Sequence, residues 1–215
     1  MTYLQLINAV LRRLRVPEVS SVEENAYSML IGDFVNDAKN TVEVAWDWSA
    51  LKTTLTVTTA ADIFNYSLTG SNNSVKILDV VNDTSNWFLT YKTAHWMNNT
   101  FLNLAPSTGA PKYYSFNGLD SEGDNLVDLY PIPDDVYSLR FNCILRNPEL
   151  VDAADVLLIP SRPVIHLALA LAARERGETG GTSTLEYFSM ANDYLSDAIA
   201  LDANNSPESL IFVEV

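Results

Sequence analysis

The chain carries little with which to do covalent chemistry. Its 215 residues include one cysteine, Cys143, and two histidines, His95 and His166. A single thiol excludes an intramolecular disulfide and any metal site built on cysteine pairs. The histidines lie far apart in sequence, and His166 falls in an apolar, alanine-rich helical pattern, where an imidazole ordinarily packs instead of ligating. A nucleophile elbow, a phosphate-binding Gly-Lys loop and a dinucleotide glycine fingerprint are all missing. Basic residues are scarce as well. Thirteen Lys and Arg stand against 27 Asp and Glu, giving a net charge of −14, which argues against a groove that grips phosphates. No apolar run reaches the length of a membrane span. The basic residues Arg12, Arg13 and Arg15 follow the first apolar residues instead of preceding them, the reverse of a secretory signal, so the expectation is a soluble product made in the cytoplasm.

Among the acidic residues, two groups invite a chemical reading. Asp120, Glu122, Asp124 and Asp128 resemble a calcium loop, but the glycine falls at the wrong position and no closing Glu follows, so a hydrophilic hairpin turn is expected. Asp134 and Asp135 follow Pro131 and Pro133; adjacent aspartates there are read as turn formers and not as a hydrolytic carboxylate pair. Cys143 alternates with Leu139, Phe141 and Leu145 and is expected in a core. Trp46, Trp48, Trp87 and Trp96 are expected to seal packed layers, although exposed aromatics could stack on sugars or bases. The expectation is therefore no catalytic residue, no cofactor and no metal.

What is abundant is apolar side chain in regular patterns, with 47% hydrophobic residues. From Ser21 to Trp48, the residues Tyr27, Leu30, Ile31, Phe34, Val35, Ala38, Val42, Ala45 and Trp46 recur at three- and four-residue spacing, which predicts one long amphipathic helix. Its start is placed at a Ser21/Glu24 or Ser20/Glu23 capping box. Phe34 and Trp46 are expected to be buried. Asn36, Lys39, Asn40 and Glu43 are assigned to the opposite, polar face. Thr2 and Gln5 predict a capped first helix, and a third runs from an N-cap at Ser161 to Gly177 as its terminator. Leu185, Phe188, Ala191, Leu195, Ala198 and Ile199 mark the last.

Between Leu51 and Pro148 the period changes to two, with short strands separated by turn residues. The fold class expected is α+β: an α-helical bundle (helices near 2–15, 21–48, 162–176 and 183–202) carrying an inserted antiparallel β domain and an extended C-terminal tail. Residues 1–50 and 149–203 are assigned to the bundle, 51–148 to the β domain and 204–215 to the tail. In that tail Leu210, Ile211, Phe212, Val213 and Val215 form an apolar, strand-like segment after Pro207. They are expected to bind a partner.

The segments TYLQLINAVLRRLR, LIGDFVNDAKNTVEVAWDWSAL, GAPKYYSFNG, LVDLYPIPDDVYSLRF, IPSRPVIHLALALAARERG and YLSDAIALD resemble, in this order, the head-to-tail adaptors of short-tailed bacteriophages, also called tail tubular proteins of the A type. The resemblance implies a non-enzymatic virion structural protein of the neck or tail, made in the host cytoplasm. It also implies a homo-oligomeric ring, dodecameric in that family, between the portal protein and the tail nozzle protein. Double-stranded DNA would pass through an acidic lumen during ejection without specific binding, and the portal is the leading partner for the tail. The alternative reading is a phage or bacterial β module that binds surface polysaccharide.

Overall fold

The computed structural model describes residues 1–71, 74–103, 106–177 and 182–204. It is a mixed α+β protein whose chain divides into two compact units. One comprises Met1–Leu51 with the described chain from Asn147 onward; the other is Lys52–Arg146.

In the first unit α1 (Tyr3–Arg13) begins with the expected capping box, Thr2 and Gln5 each bonding the other's backbone N–H. It ends at Leu14, before Arg15 takes a positive φ of 58° and Pro17 follows. Helix α4 (Ser161–Glu175) packs against α1, α2 (Ala26–Ala45) and α5 (Thr182–Ala203). Gly177 closes α4 with φ 80°, its N–H on the Arg174 carbonyl. Ser161 is the first residue of α4 and not its cap. Pro160 takes the cap position with no side-chain bond.

The long helix departs from expectation at both ends and in its orientation. Asn25 and Ser28 form the capping box, because Ser28 is fully buried and also donates to the Val22 carbonyl. The Ser20 N–H and hydroxyl instead close a turn on Glu24 just upstream, at 2.6 and 2.8 Å. At the other end Trp46 turns extended, and the buried indole of Trp48 folds back to donate to the Val42 carbonyl at 2.7 Å, satisfying one of the orphan acceptors of the last turn. The helix thus spans 20 residues. Its buried face is Ser28, Ile31, Gly32, Val35, Ala38, Lys39, Val42 and Glu43. Phe34 and Trp46, expected inside, are only half-buried, while Lys39 and Glu43, expected outside, are inside. On α5, Ala191 and Ala198 are buried, but Leu185, expected on the same face, is exposed.

The second unit holds two four-stranded sheets. In the first, β1 (Lys52–Thr58), β8 (Ser138–Ile144), β3 (Lys76–Asn82) and β4 (Trp87–Phe88) lie in that order; in the second the order is β2 (Asn65–Ser67), β7 (Asn125–Tyr130), β6 (Tyr113–Leu119) and β5 (Thr90–Tyr91). All ladders are antiparallel except β5 with β6, so the expectation of a purely antiparallel domain is corrected at one two-residue edge. A bulge between Ile77 and Asp79 shifts the β3 register and leaves Leu78 exposed, which breaks strict alternation before Val80 and Val81. Side chains from both sheets, including Val57, Val80, Leu139 and Phe141 from one and Tyr114, Val127 and Leu129 from the other, make a single apolar core. Helix α3 (Ala94–Asn103) lies against β6.

Candidate functional site

The side chains singled out for chemistry in the sequence are mostly consumed by structure. Asp120 sits in the β6–β7 turn, where its carboxylate accepts from the Ser67 hydroxyl at 2.6 Å and from the N–H groups of Glu122 and Asp124. Those donors, the Ser67 hydroxyl first, hold its acidity below the ordinary carboxylate range. Asp124 accepts from the Gly70 N–H, and Asp128 from the Asn65 amide. A cation would have to displace these donors. Asp134 accepts from the Tyr137 hydroxyl at 2.6 Å and Asp135 from the Val136 N–H, as turn formers do. Among the described residues no group of three or more His, Cys, Asp or Glu could hold a metal ion.

Cys143 is fully buried in β8, and burial pushes its thiol up, away from the reactive thiolate. His166 lies against Tyr194 with ring centres 4.5 Å apart, and its buried Nδ1 has no hydrogen-bond partner among the described residues. Burial first, then the charges of Arg13 and Arg162, pushes its pKa down, disfavouring the protonated imidazole. The indoles are likewise engaged. Trp46 donates to Asp202, Trp48 to Val42 and Trp87 to Pro111, while Trp96 packs among Tyr113, Tyr130 and Lys92. An open cleft of about 680 Å³ between α4 and α5 is lined by Pro160, Arg162, Tyr194, Asp197 and Leu201. Arg162 there lies over the Tyr194 ring.

The polar arrangement that does stand out lies inside the helical unit, around the chain segments next to Leu51 and Asn147. Asn36 grips Leu150 at two points, its amide donating to the carbonyl and its carbonyl accepting the N–H, both at 3.0 Å. Lys39 donates to the Asn147 carbonyl at 2.8 Å and pairs with Glu43 at 3.3 Å, both side chains 1% exposed. Asp202, near the end of α5, accepts from the Trp46 indole, the Ser49 N–H and the Ser49 hydroxyl. These contacts fix the stretches through which the chain leaves this unit and returns to it. Sequence reading placed Asn36, Lys39 and Glu43 on the polar face, toward water or a neighbouring subunit. The Lys-x-x-x-Glu spacing was the available signal for a pair, but nothing in spacing tells a buried pair from an exposed one.

The family model described as SU10 adaptor protein matches residues 1–210. The chain belongs to the SU10 adaptor family. This agrees with the resemblance to phage head-to-tail adaptors read from the sequence and assigns the chain a structural adaptor role. A comparison with curated proteins finds no match. In this SU10 adaptor no described helix is long and apolar enough to cross a membrane. The tail residues Leu210, Ile211, Phe212, Val213 and Val215 lie outside the described residues.

Proposed function

We propose that this adaptor is a non-enzymatic subunit of the virion neck that forms a ring between the portal and the tail nozzle, with DNA passing through an acidic lumen. The observation that carries the reading is the family match over residues 1–210. The net charge of −14 supports it, because a lumen poor in phosphate-binding cations does not hold passing DNA. The tail segment at Leu210–Val215 is assigned to partner binding in that assembly, since an apolar strand-like segment left uncovered invites aggregation.

The test is to mix the purified protein with portal rings and measure particle mass and image the product. A ring of copies stacked on the portal is expected. A protein that stays unattached across a wide concentration range would sink the proposal.

A further inference from the structure

We propose that the open edge of β1 is a strand-docking site that takes residues 210–215 of a neighbouring copy of this chain. The inference rests on the ring reading above and names the surfaces that join one copy to the next.

The two sheets have four edges, and three of them are short: β4 and β5 have two residues each and β2 has three. Shortness is a common protection against edge-to-edge pairing. The fourth edge, β1, has seven residues, Lys52–Thr58, with no proline. Its ladder with β8 runs without a bulge from Lys52 opposite Ile144 to Thr58 opposite Ser138. It lacks the usual devices that blunt an edge, apart from a lysine at its first position.

The phase of that ladder tells which groups point outward. Thr59 N–H donates to the Tyr137 carbonyl at 2.9 Å, one step past the Thr58–Ser138 pair, so Thr59 bonds toward β8. Antiparallel pairs alternate, so Val57, Leu55 and Thr53 also turn their N–H and C=O toward β8. Thr54, Thr56 and Thr58 turn theirs away. Two contacts agree with this phase. The Ser138 carbonyl, opposite Thr58, is used by Asp83 N–H on the far side of β8, and the Thr54 hydroxyl reaches the Asn142 side chain directly across at 3.1 Å, as in a non-hydrogen-bonded pair. Thr54, Thr56 and Thr58 are exposed, and their backbone groups have no partner among the described residues. Behind them Val57 is in the core and Leu55 lies half-buried at its rim, where an added strand would extend the apolar layer.

The chain itself contains a segment of matching form. Residues 210–215, LIFVEV, follow Pro207, contain no further proline and carry an apolar side chain at five positions, Leu210, Ile211, Phe212, Val213 and Val215. Six residues in a strand reach roughly 20 Å, close to the length of β1. A closed ring needs a heterologous contact, with donor and acceptor surfaces that differ. Pairing of β1 with β1 would be isologous and would stop at two copies. The tail on β1 of the next copy satisfies the requirement, with backbone bonds supplying affinity and alternate side chains supplying fit.

The experiment uses full-length protein assembled on portal rings. One population carries Thr56→Cys and the other Phe212→Cys, and oxidation is followed by denaturing electrophoresis; the buried Cys143 is common to both and controlled by the parent protein. An intermolecular cross-link is expected in rings. Thr56→Pro removes an outward N–H and no bond to β8, so it is expected to leave the melting transition close to the parent while abolishing ring assembly and the slow amide exchange of residues 210–215. Should that variant misfold, the cross-link alone decides. Rings in which residues 210–215 exchange as a free peptide does, or in which Phe212→Cys joins only the portal and never Thr56→Cys of another copy, would overturn the inference. Failure of the parent protein to form rings is read from particle mass before any cross-linking; it overturns the ring reading and this inference with it.

Discussion

The two units put buried polar side chains to different use. The β unit closes on an apolar cluster with Phe141, Leu139 and Leu129 at its centre, whereas the helical unit places Lys39, Glu43 and Ser28 on the inner face of α2. The difference follows from where the backbone is regular. In the β unit the ladders satisfy the N–H and C=O groups, and the side chains between the sheets need only fill space. In the helical unit, irregular chain runs past the helices at Trp46–Ser49 and Asn147–Leu150, and backbone groups there have no ladder partner. Side chains of α2 and α5 supply the missing bonds: Asn36 to Leu150, Lys39 to Asn147 and Asp202 to Ser49. Polar burial is not confined to irregular chain, since Asn82 in β3 and Ser115 in β6 are buried as well.

The strongest way to break this contrast is to remove one half of the buried pair. Lys39→Met removes the ammonium group beside the buried Glu43 carboxyl and frees the Asn147 carbonyl, so it is expected to cost about 3–5 kcal/mol in denaturant unfolding. Adding Glu43→Leu should recover a large part of that loss. If the single and double variants are equally unstable, the pair is not what the helix face depends on. Phe141→Ala in the β unit should cost a similar amount, about 3–5 kcal/mol, but by cavity formation, with no partner substitution that restores it.

A smaller effect is expected at Asn36. Removing its amide leaves the Leu150 N–H and carbonyl unpaired, and Asn36→Ala should lose about 1–3 kcal/mol for each buried group so exposed. Phe34→Ala, at a half-buried position, should cost less than Phe141→Ala. The reverse ranking of the two phenylalanines in the same unfolding assay would restore the face expected from sequence periodicity.

The smallest effect sharpens the comparison through pH. His166 has a folded pKa below its ordinary value, so the unfolded chain binds a proton that the folded chain resists. Stability should therefore fall as pH drops through about 6.5, the unperturbed histidine value, and level off below the depressed folded pKa. His166→Gln should flatten this step in a pH series of melting temperatures. An unchanged step would assign it to another group.

Much of the local structure was legible in the chain itself. The Thr2/Gln5 box starts α1, Gly177 closes α4, and alternation in 138–144 puts Leu139, Phe141 and Cys143 on one buried face, because capping and strand pleat depend on residues within a few positions of one another. The family resemblance was legible for the same reason, as an order of such elements. The proposal that Leu210–Val215 bind a partner rests on the pattern of the tail alone.

Tertiary packing decided the rest. Periodicity allowed Ser21–Trp48 to be one helix, but the burial of Ser28 chose Asn25 as its cap, and the return of the Trp48 indole onto Val42 ended it. Periodicity also fixed the spacing of the buried stripe and not its rotation. Which side of α2 faces inward was settled by α1 and α4 packing against it, and by the carbonyls of Asn147 and Leu150 approaching it from more than a hundred residues away. A one-dimensional pattern records how apolar residues are spaced. The need of a distant backbone for hydrogen-bond partners, which draws lysine, glutamate and asparagine inward, exists only once the chain has folded back on itself.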